Sequence, residues 1–475
     1  MKKLFSLMLG LGALAFTACS DDENGGPSGN AVGFPNPAIN LTSEVTTVTL
    51  NFMNPAKADG TVTLSLAESN VEYGVDYTTM PAASVNTLVV PFSQGDETTS
   101  FTFTRLVSAI EGEAKNVVVT IASVTNNMTI IPTAKAVQLN FDESPIQNAT
   151  AFPAIGGANI PNQVYFDFSS GNGTGVSRTG WDLAFYSGDG FQVAINASIK
   201  MAAKNTGLTD ITLPVAVDAD VAVGEGGGAG IVAGNPDYVD YPDGDITKTA
   251  INTVSSNDAD NKVYLVNLGH EIATSSPGAG SVNPYGASRG WMKIRVLRQG
   301  ENYLLQYADI DSADYQEIAI SKTAGYNFTF FSFDNGVVQA EPAKNQWDIV
   351  FTPFVNLVNF GTGMVSYAYQ DYIVTNRNAN VRAYEQLNAA GISYANFSLA
   401  DIDNSKFNQE AAIDQRAIGA NWRNGGGPSS APSVRDDRFY IVKDPAENIY
   451  KVRFISLTNG AGERGNPSFE YHLLQ

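Results

Sequence analysis

Trp181-Asp182-Leu183-Ala184-Phe185 and Trp347-Asp348-Ile349-Val350-Phe351 are one phrase written twice in a single chain. A second phrase precedes each copy: Tyr165-Phe166-Asp167-Phe168-Ser169-Ser170-Gly171 before the first, Phe330-Phe331-Ser332-Phe333-Asp334-Asn335-Gly336 before the second. All four tryptophans lie in this region, Trp181 and Trp291 in the first copy, Trp347 and Trp422 in the second. Short apolar runs rich in aromatic and β-branched residues read as strands. The repeat therefore predicts two tandem β-rich domains, 150–322 and 323–475. Arg298-Gln299-Gly300-Glu301-Asn302-Tyr303 is matched to the stretch from Lys443 through Ala446-Glu447-Asn448 to Tyr450, each with a Glu-Asn hairpin turn. The middle of each copy is loop material, marked by Gly224–Gly230 and Asn424–Ser430. Neither glycine run leads into Lys-Ser/Thr and a helix, so neither is a phosphate loop. Helical signal is sparse, a turn or two over Ala411–Ala417.

Ahead of the repeat, residues 31–145 alternate with period two. Thr47–Phe52, Thr61–Leu66, Ser100–Thr104 and Val117–Ile121 read as strands of a β-sandwich, with Asp59-Gly60 as a hairpin signal between the first two. The fold class expected is all-β throughout. Val71-Glu72-Tyr73-Gly74-Val75-Asp76-Tyr77, followed by Val89–Asp96, resembles a Calx-β sandwich. Some members of that family bind Ca²⁺ through clustered carboxylates, which makes Glu72, Asp76, Glu111 and Glu113 the candidates here. Calcium needs several oxygens converging on one point, and four scattered acids do not supply that. The expectation is a structural spacer without calcium.

The first thirty residues carry an address. Lys2 and Lys3 precede the apolar run Leu4–Phe16, which closes as Phe16-Thr17-Ala18-Cys19. Residues 1–18 read as a signal peptide. Small residues leading into the chain's single cysteine resemble a bacterial lipobox, in which Cys19 is lipidated after cleavage. Ser20-Asp21-Asp22-Glu23 and the glycines behind it make 19–30 a polar tether, similar to the surface-export signal of Bacteroidota lipoproteins. The expected location is the outer membrane, anchored by lipid and exposed at the cell surface.

Composition narrows the function. The 475 residues carry a formal charge of −20, 28 Lys+Arg against 48 Asp+Glu, which argues against nucleic acid as a partner. Two His and one Cys exclude zinc-finger arrays, Cys-ligated clusters and an intrachain disulfide framework. No Gly-x-Ser-x-Gly elbow and no His-Glu-x-x-His helix is present, so nothing in the chain selects an enzymatic mechanism.

The order Phe-Ser-Phe, Trp-Asp-Ile, then Phe439-Tyr440-Ile441-Val442-Lys443 through Asn448-Ile449-Tyr450-Lys451-Val452-Arg453-Phe454 resembles the HmuY family, haem-binding surface lipoproteins of Bacteroidota. The second copy is the clearer, and the first has Trp291–Arg298 in place of the 439–443 strand. The resemblance implies capture of haem or a related tetrapyrrole for delivery to an outer-membrane transporter, with no bond-making chemistry. It also implies two axial His or Met ligands on loops. A histidine position of the family falls near Gly425 or Gly426, which cannot ligate iron. The remaining candidates are His270, Met292 and Met364, ahead of His472 on a terminal strand and of Met201. The rival reading is a non-haem binding or adhesion protein for glycan, peptide or a partner surface protein. A slot without imidazole or thioether would favour it.

Overall fold

The computed structural model describes residues 30–41, 43–107, 115–141, 146–227, 230–232, 234–361, 363–426 and 430–474. Cys19, Glu111 and Glu113 lie outside them. The chain divides into two compact units, broken close to residue 142. In the first unit, strands such as Val45–Phe52 and Gly60–Ser69 bury every second side chain: Val48, Leu50 and Phe52 in one, Val62, Leu64 and Leu66 in the other. That period is what a sheet with one wet face requires. Two five-stranded sheets result and share one core, in which Tyr77 stacks on Phe103 with ring centroids 4.7 Å apart.

Asp59-Gly60 is not a hairpin. Val45–Phe52 pairs with Thr98–Arg105, whereas Gly60–Ser69 pairs with Thr87–Phe92 and Asn116–Val124 in the other sheet. The turn carries the chain across the sandwich. A Cβ on Gly60 would lie 2.4 Å from the Phe92 ring, so only glycine fits that crossing. Among the calcium candidates, Asp76 Oδ1 takes the Lys115 ammonium at 3.1 Å and its Oδ2 accepts the Glu72 N–H at 2.8 Å. Its oxygens are committed to a lysine and a turn.

The second unit holds both repeats, and strands cross from one to the other. Leu183–Tyr186 of the first copy is flanked by Val193–Ile195 and by Phe328–Ser332 of the second copy. Reciprocally, Ile349–Asn359 of the second copy is flanked by Met364–Thr375 and by Asn162–Phe166 of the first. Beside each of these four-stranded sheets stands a five-stranded one. The first runs Ala202–Asn205, Val263–Asn267, Trp291–Gln299, Asn302–Ala308, Gln316–Ile320; the second runs Arg382–Leu387, Arg438–Lys443, Ile449–Thr458, Arg464–Leu473, Asn148–Ala151. One module is thus built from consecutive strands over 183–338. The other combines 349–473 with the returning segment 148–177. The sequence repeats have exchanged their leading strands.

The matching strand order sets the true register of the repeat. Val263–Asn267 occupies the place of Arg438–Lys443, and Trp291–Gln299 that of Ile449–Thr458. The two Glu-Asn hairpins are therefore not equivalent, because a turn signal reports a chain reversal and not which strands it joins. Buried lysines mark the true equivalence. Lys293 Nζ donates to the carbonyls of Leu213 and Ser312, both at 2.7 Å, and Lys451 Nζ to those of Tyr394 and Phe397, both at 2.8 Å. Each ammonium ties an irregular loop to its sheet, and burial lowers both lysine pKa values.

The Trp-Asp pairs lock the exchange. Asp182 Oδ2 accepts the Phe333 N–H at 2.9 Å, and Asp348 Oδ2 accepts the Phe168 N–H at 2.8 Å. Each carboxylate closes the end of the other copy's Phe-x-Phe strand. Asn196 and Asn376, one strand further on, donate to the carbonyls of Trp181 and Trp347. Asp182 is fully buried and pairs with Arg289 at 2.5 Å. Asp182→Ala leaves the Phe333 N–H unpaired and Arg289 with only its longer carboxylate contacts, to Glu271 at 3.5 Å and Asp334 at 3.7 Å, and is expected to destabilise this unit by about 3 kcal/mol. The shift of the urea unfolding midpoint measures it.

Candidate ligand-binding site

The three ligand candidates from the sequence lie on separate elements. His270 follows Val263–Asn267; its Nδ1 is 3.0 Å from the Gly286 carbonyl oxygen, and its ring is tilted against Tyr285. Met292 stands opposite Val266 and packs against the core of the contiguous module. Met364 begins the second strand of a long hairpin, half exposed, opposite Asn359. His472 is exposed between Asn148 and Lys451, and Met201 is fully buried. None of these five lines either of the two cavities that follow.

Gly425 and Gly426 form part of the wall of an open cleft of about 620 Å³. Its other walls come from residues 279–282, from the long strand Met364–Thr375 and from the start of Arg464–Leu473. Gly426 has φ +78°, and a Cβ there would meet the Pro432 nitrogen at 2.9 Å. The tight loop leaves no room for a ligating side chain at that point. Facing the cleft are Tyr367, Gln370, Ser281, Ser430, Thr458 and Arg464. Beside it Asp371, Arg423 and Arg464 form a cluster of two cations and one anion. Arg464 bonds Asp371 through Nη2 and donates through Nη1 to the Gly425 carbonyl at 3.0 Å, while Arg423 Nε lies 3.4 Å from Asp371. The excess positive charge is buried, because all three side chains are less than a tenth exposed. In a chain of charge −20, this is a local reversal of sign.

A second, more enclosed cavity of about 190 Å³ lies where the two four-stranded sheets face each other. One sheet presents the cross-strand row Ala194–Ala184–Phe330, the other the equivalent row Val374–Val350–Tyr165. Trp181 stands edge-on to Phe330 and Trp347 edge-on to Tyr165, both with centroids 4.9 Å apart. Three carboxyls also line it, those of Glu341, Asp240 and Asp245. Glu341 Oε1 accepts the N–H groups of Asn327 and Phe328 at 3.0 and 3.1 Å. Asp240 accepts those of Ile195 and Ala250 at 2.9 and 2.8 Å. Burial pushes Glu341 up to about 8 and Asp240 up to about 7, against the pull of those same hydrogen bonds.

Sequence reading missed Tyr367, Arg464, Asp240 and Glu341. Each is a common residue type whose role comes from neighbours far along the chain, and no local motif marks it.

The model of the HmuY family, described as HmuY protein, matches residues 159–289 and 324–471. The chain belongs to the HmuY family. No curated protein matches the chain. Similar solved structures include an apo Calx CBD1 domain, at 10% identity and TM-score 0.20, covering 24% of this chain and 98% of that one. Another is a putative carbohydrate-binding protein from Bacteroides ovatus ATCC 8483, at 10% identity and TM-score 0.22, covering 94% of this chain and 98% of that one. A two-domain protein of unknown function from Bacteroides fragilis NCTC 9343 has 10% identity and TM-score 0.18, over 39% of this chain and 74% of that one. HmuY proteins are surface-associated binding proteins rather than enzymes. Among the described residues no helix is long and apolar enough to cross a membrane, and no group of three or more His, Cys, Asp or Glu could hold a metal ion.

The raised carboxyls make stability depend on pH in a definite direction. An unfolded Glu ionises near 4.5, whereas Glu341 in the folded chain stays protonated up to about 8. Between those values the unfolded state holds fewer protons, so stability falls as pH rises from about 5 to 8. Asp240 adds to the fall up to about pH 7. Glu341→Gln keeps an oxygen for the two N–H donors and removes one titration. The wild-type urea midpoint is expected to drop between pH 5 and pH 8, and that of Glu341→Gln to drop measurably less.

Proposed function

We propose that this protein is a non-enzymatic, lipid-anchored surface protein that captures haem or a related tetrapyrrole in the open cleft beside Gly425 and Gly426. It would pass the ligand to an outer-membrane transporter. The observation that carries this reading is the family match over both repeats, which spans the segments that wall the cleft. The cleft volume of about 620 Å³ suits a small-molecule ligand. The residues present do not fit iron held between two imidazoles or two thioethers, since none lines the cleft. What they offer instead is the Tyr367 ring for a flat ligand face and, from behind the wall, the positive field of the Arg423–Asp371–Arg464 cluster for anionic substituents such as propionates. On this reading the macrocycle is held by its faces and carboxylates, with its metal incidental. His270, Met292 and Met364 remain the axial-ligand proposals if iron is bound directly.

A glycan is the second reading, favoured by the absence of imidazole and thioether from the cleft lining and by the hydroxyl and amide groups of Ser281, Ser430, Thr458 and Gln370 along it.

The test titrates the chain from Ser20 onward, which retains every described residue, with ferric haem and with metal-free protoporphyrin. Both are expected to bind saturably with similar affinity, more weakly at high salt, and about tenfold more weakly after Tyr367→Ala. A six-coordinate low-spin haem spectrum lost on substituting His270, Met292 or Met364 would move the iron to those residues. Absence of saturable binding by either compound would overturn the tetrapyrrole reading and leave acidic and neutral oligosaccharides as the next probes.

A further inference from the structure

The smaller cavity, between the two four-stranded sheets, shares no lining residue with the open cleft. Pseudo-symmetry shows what is unusual about it. Trp181 Nε1 donates to Gln163 Oε1 at 2.9 Å, and Gln163 Nε2 in turn donates to Thr352 Oγ1 at 3.1 Å. The position equivalent to Gln163 in the other copy is Phe328, by the pairing of Phe166 with Ile349 and of Phe331 with Leu183. Phenylalanine has no acceptor. Trp347 Nε1, more than nine-tenths buried, accordingly has no hydrogen-bond partner, and neither does Thr375 Oγ1 on the same wall. An orphaned buried donor costs about 1–3 kcal/mol.

The space also has an identifiable origin. Where one sheet places Val350 and Val374, the other places Ala184 and Ala194. Four methyl groups are missing from one side of the interface, and a close-packed interior does not leave such room without consequence. Apolar cavities of about 150 Å³ accept a benzene-sized ring; this one measures about 190 Å³, opens to solvent, and adds polar groups such as Asp245 and Arg377 to its aromatic walls. Its aromatic walls suit a ring, and its three carboxyls already accept backbone N–H groups.

We propose that this inter-repeat cavity binds a small uncharged ring compound carrying a hydrogen-bond acceptor, which meets Trp347 Nε1 and lies against the Ala184–Ala194 row.

Benzamide and toluene are the probes, added to the chain from Ser20 onward and followed by tryptophan fluorescence and by ligand-observed NMR. Benzamide is expected to bind saturably. Trp347→Phe keeps an aromatic ring and removes the donor, so it should weaken benzamide by about fivefold and leave toluene unchanged. Ala194→Phe should abolish binding of both by filling the space, and Ala184→Leu is the milder replacement if that variant does not fold. Failure of both probes to bind overturns the proposal, as does binding that persists in the filled variants. Toluene binding with no benzamide binding would overturn the acceptor requirement.

Discussion

A buried carboxylate bonded to the backbone of the other repeat is the constraint on which the second unit depends. Asp182 and Asp348 each follow a tryptophan, and each accepts the N–H that ends the neighbouring copy's Phe-x-Phe strand. A buried carboxylate requires donors at fixed positions, so this bond selects which strand can lie beside Leu183–Tyr186 and which beside Ile349–Asn359. With those two choices made, the tryptophans stand edge-on to Phe330 and Tyr165. The two four-stranded sheets come face to face, and the cavity opens between the smaller side chains of one and the larger ones of the other.

Much of the architecture was legible locally. Alternating burial in Val45–Phe52 and Gly60–Ser69 follows the alternation of their residue types. The weak helical signal near Ala411–Ala417 corresponds to the single turn Glu410–Ile413. The strand exchange was not legible, because Phe328–Ser332 and Asn162–Phe166 are both short strands with adjacent aromatics, and neither sequence says which sheet it joins. Period and turn chemistry specify that a strand exists, and the partner is decided by contacts distant in sequence. The same limit explains why Asp59-Gly60 and the Glu-Asn turns mislead. The lysines at 293 and 451, standing in equivalent strands and holding equivalent loops, were the signal that could have aligned the copies.

Site residues were harder to read for a related reason. A search for iron ligands attends to imidazole and thioether, and it finds His270, Met292 and Met364 on unrelated elements. The cleft near Gly425 draws its walls from residues 279–282, 367–370 and 458–464, segments that sequence order keeps apart. Its positive character comes from two arginines sharing one aspartate, which a net charge of −20 conceals. The Trp and Phe of the repeat were visible as structural residues, and they are structural. That they also wall a cavity depends on the difference between Ala184–Ala194 and Val350–Val374, a matter of a few methyl groups.

The exchanged strands also impose an order in time. Every strand of the contiguous module is present once residue 338 has been made. Asn148–Ala151 pairs with Arg464–Leu473 at the far end of the chain, so the other module cannot close until almost the last residue appears. At roughly 5–20 residues per second, Asn148–Ala151 waits on the order of 15–60 s for its partner. Val164 and Phe166 meet Phe351 and Ile349 earlier, but Phe469 and Tyr471, which pack on Phe166 and Phe168, arrive only at the end. The contiguous module can thus be folded while its neighbour still lacks part of its core.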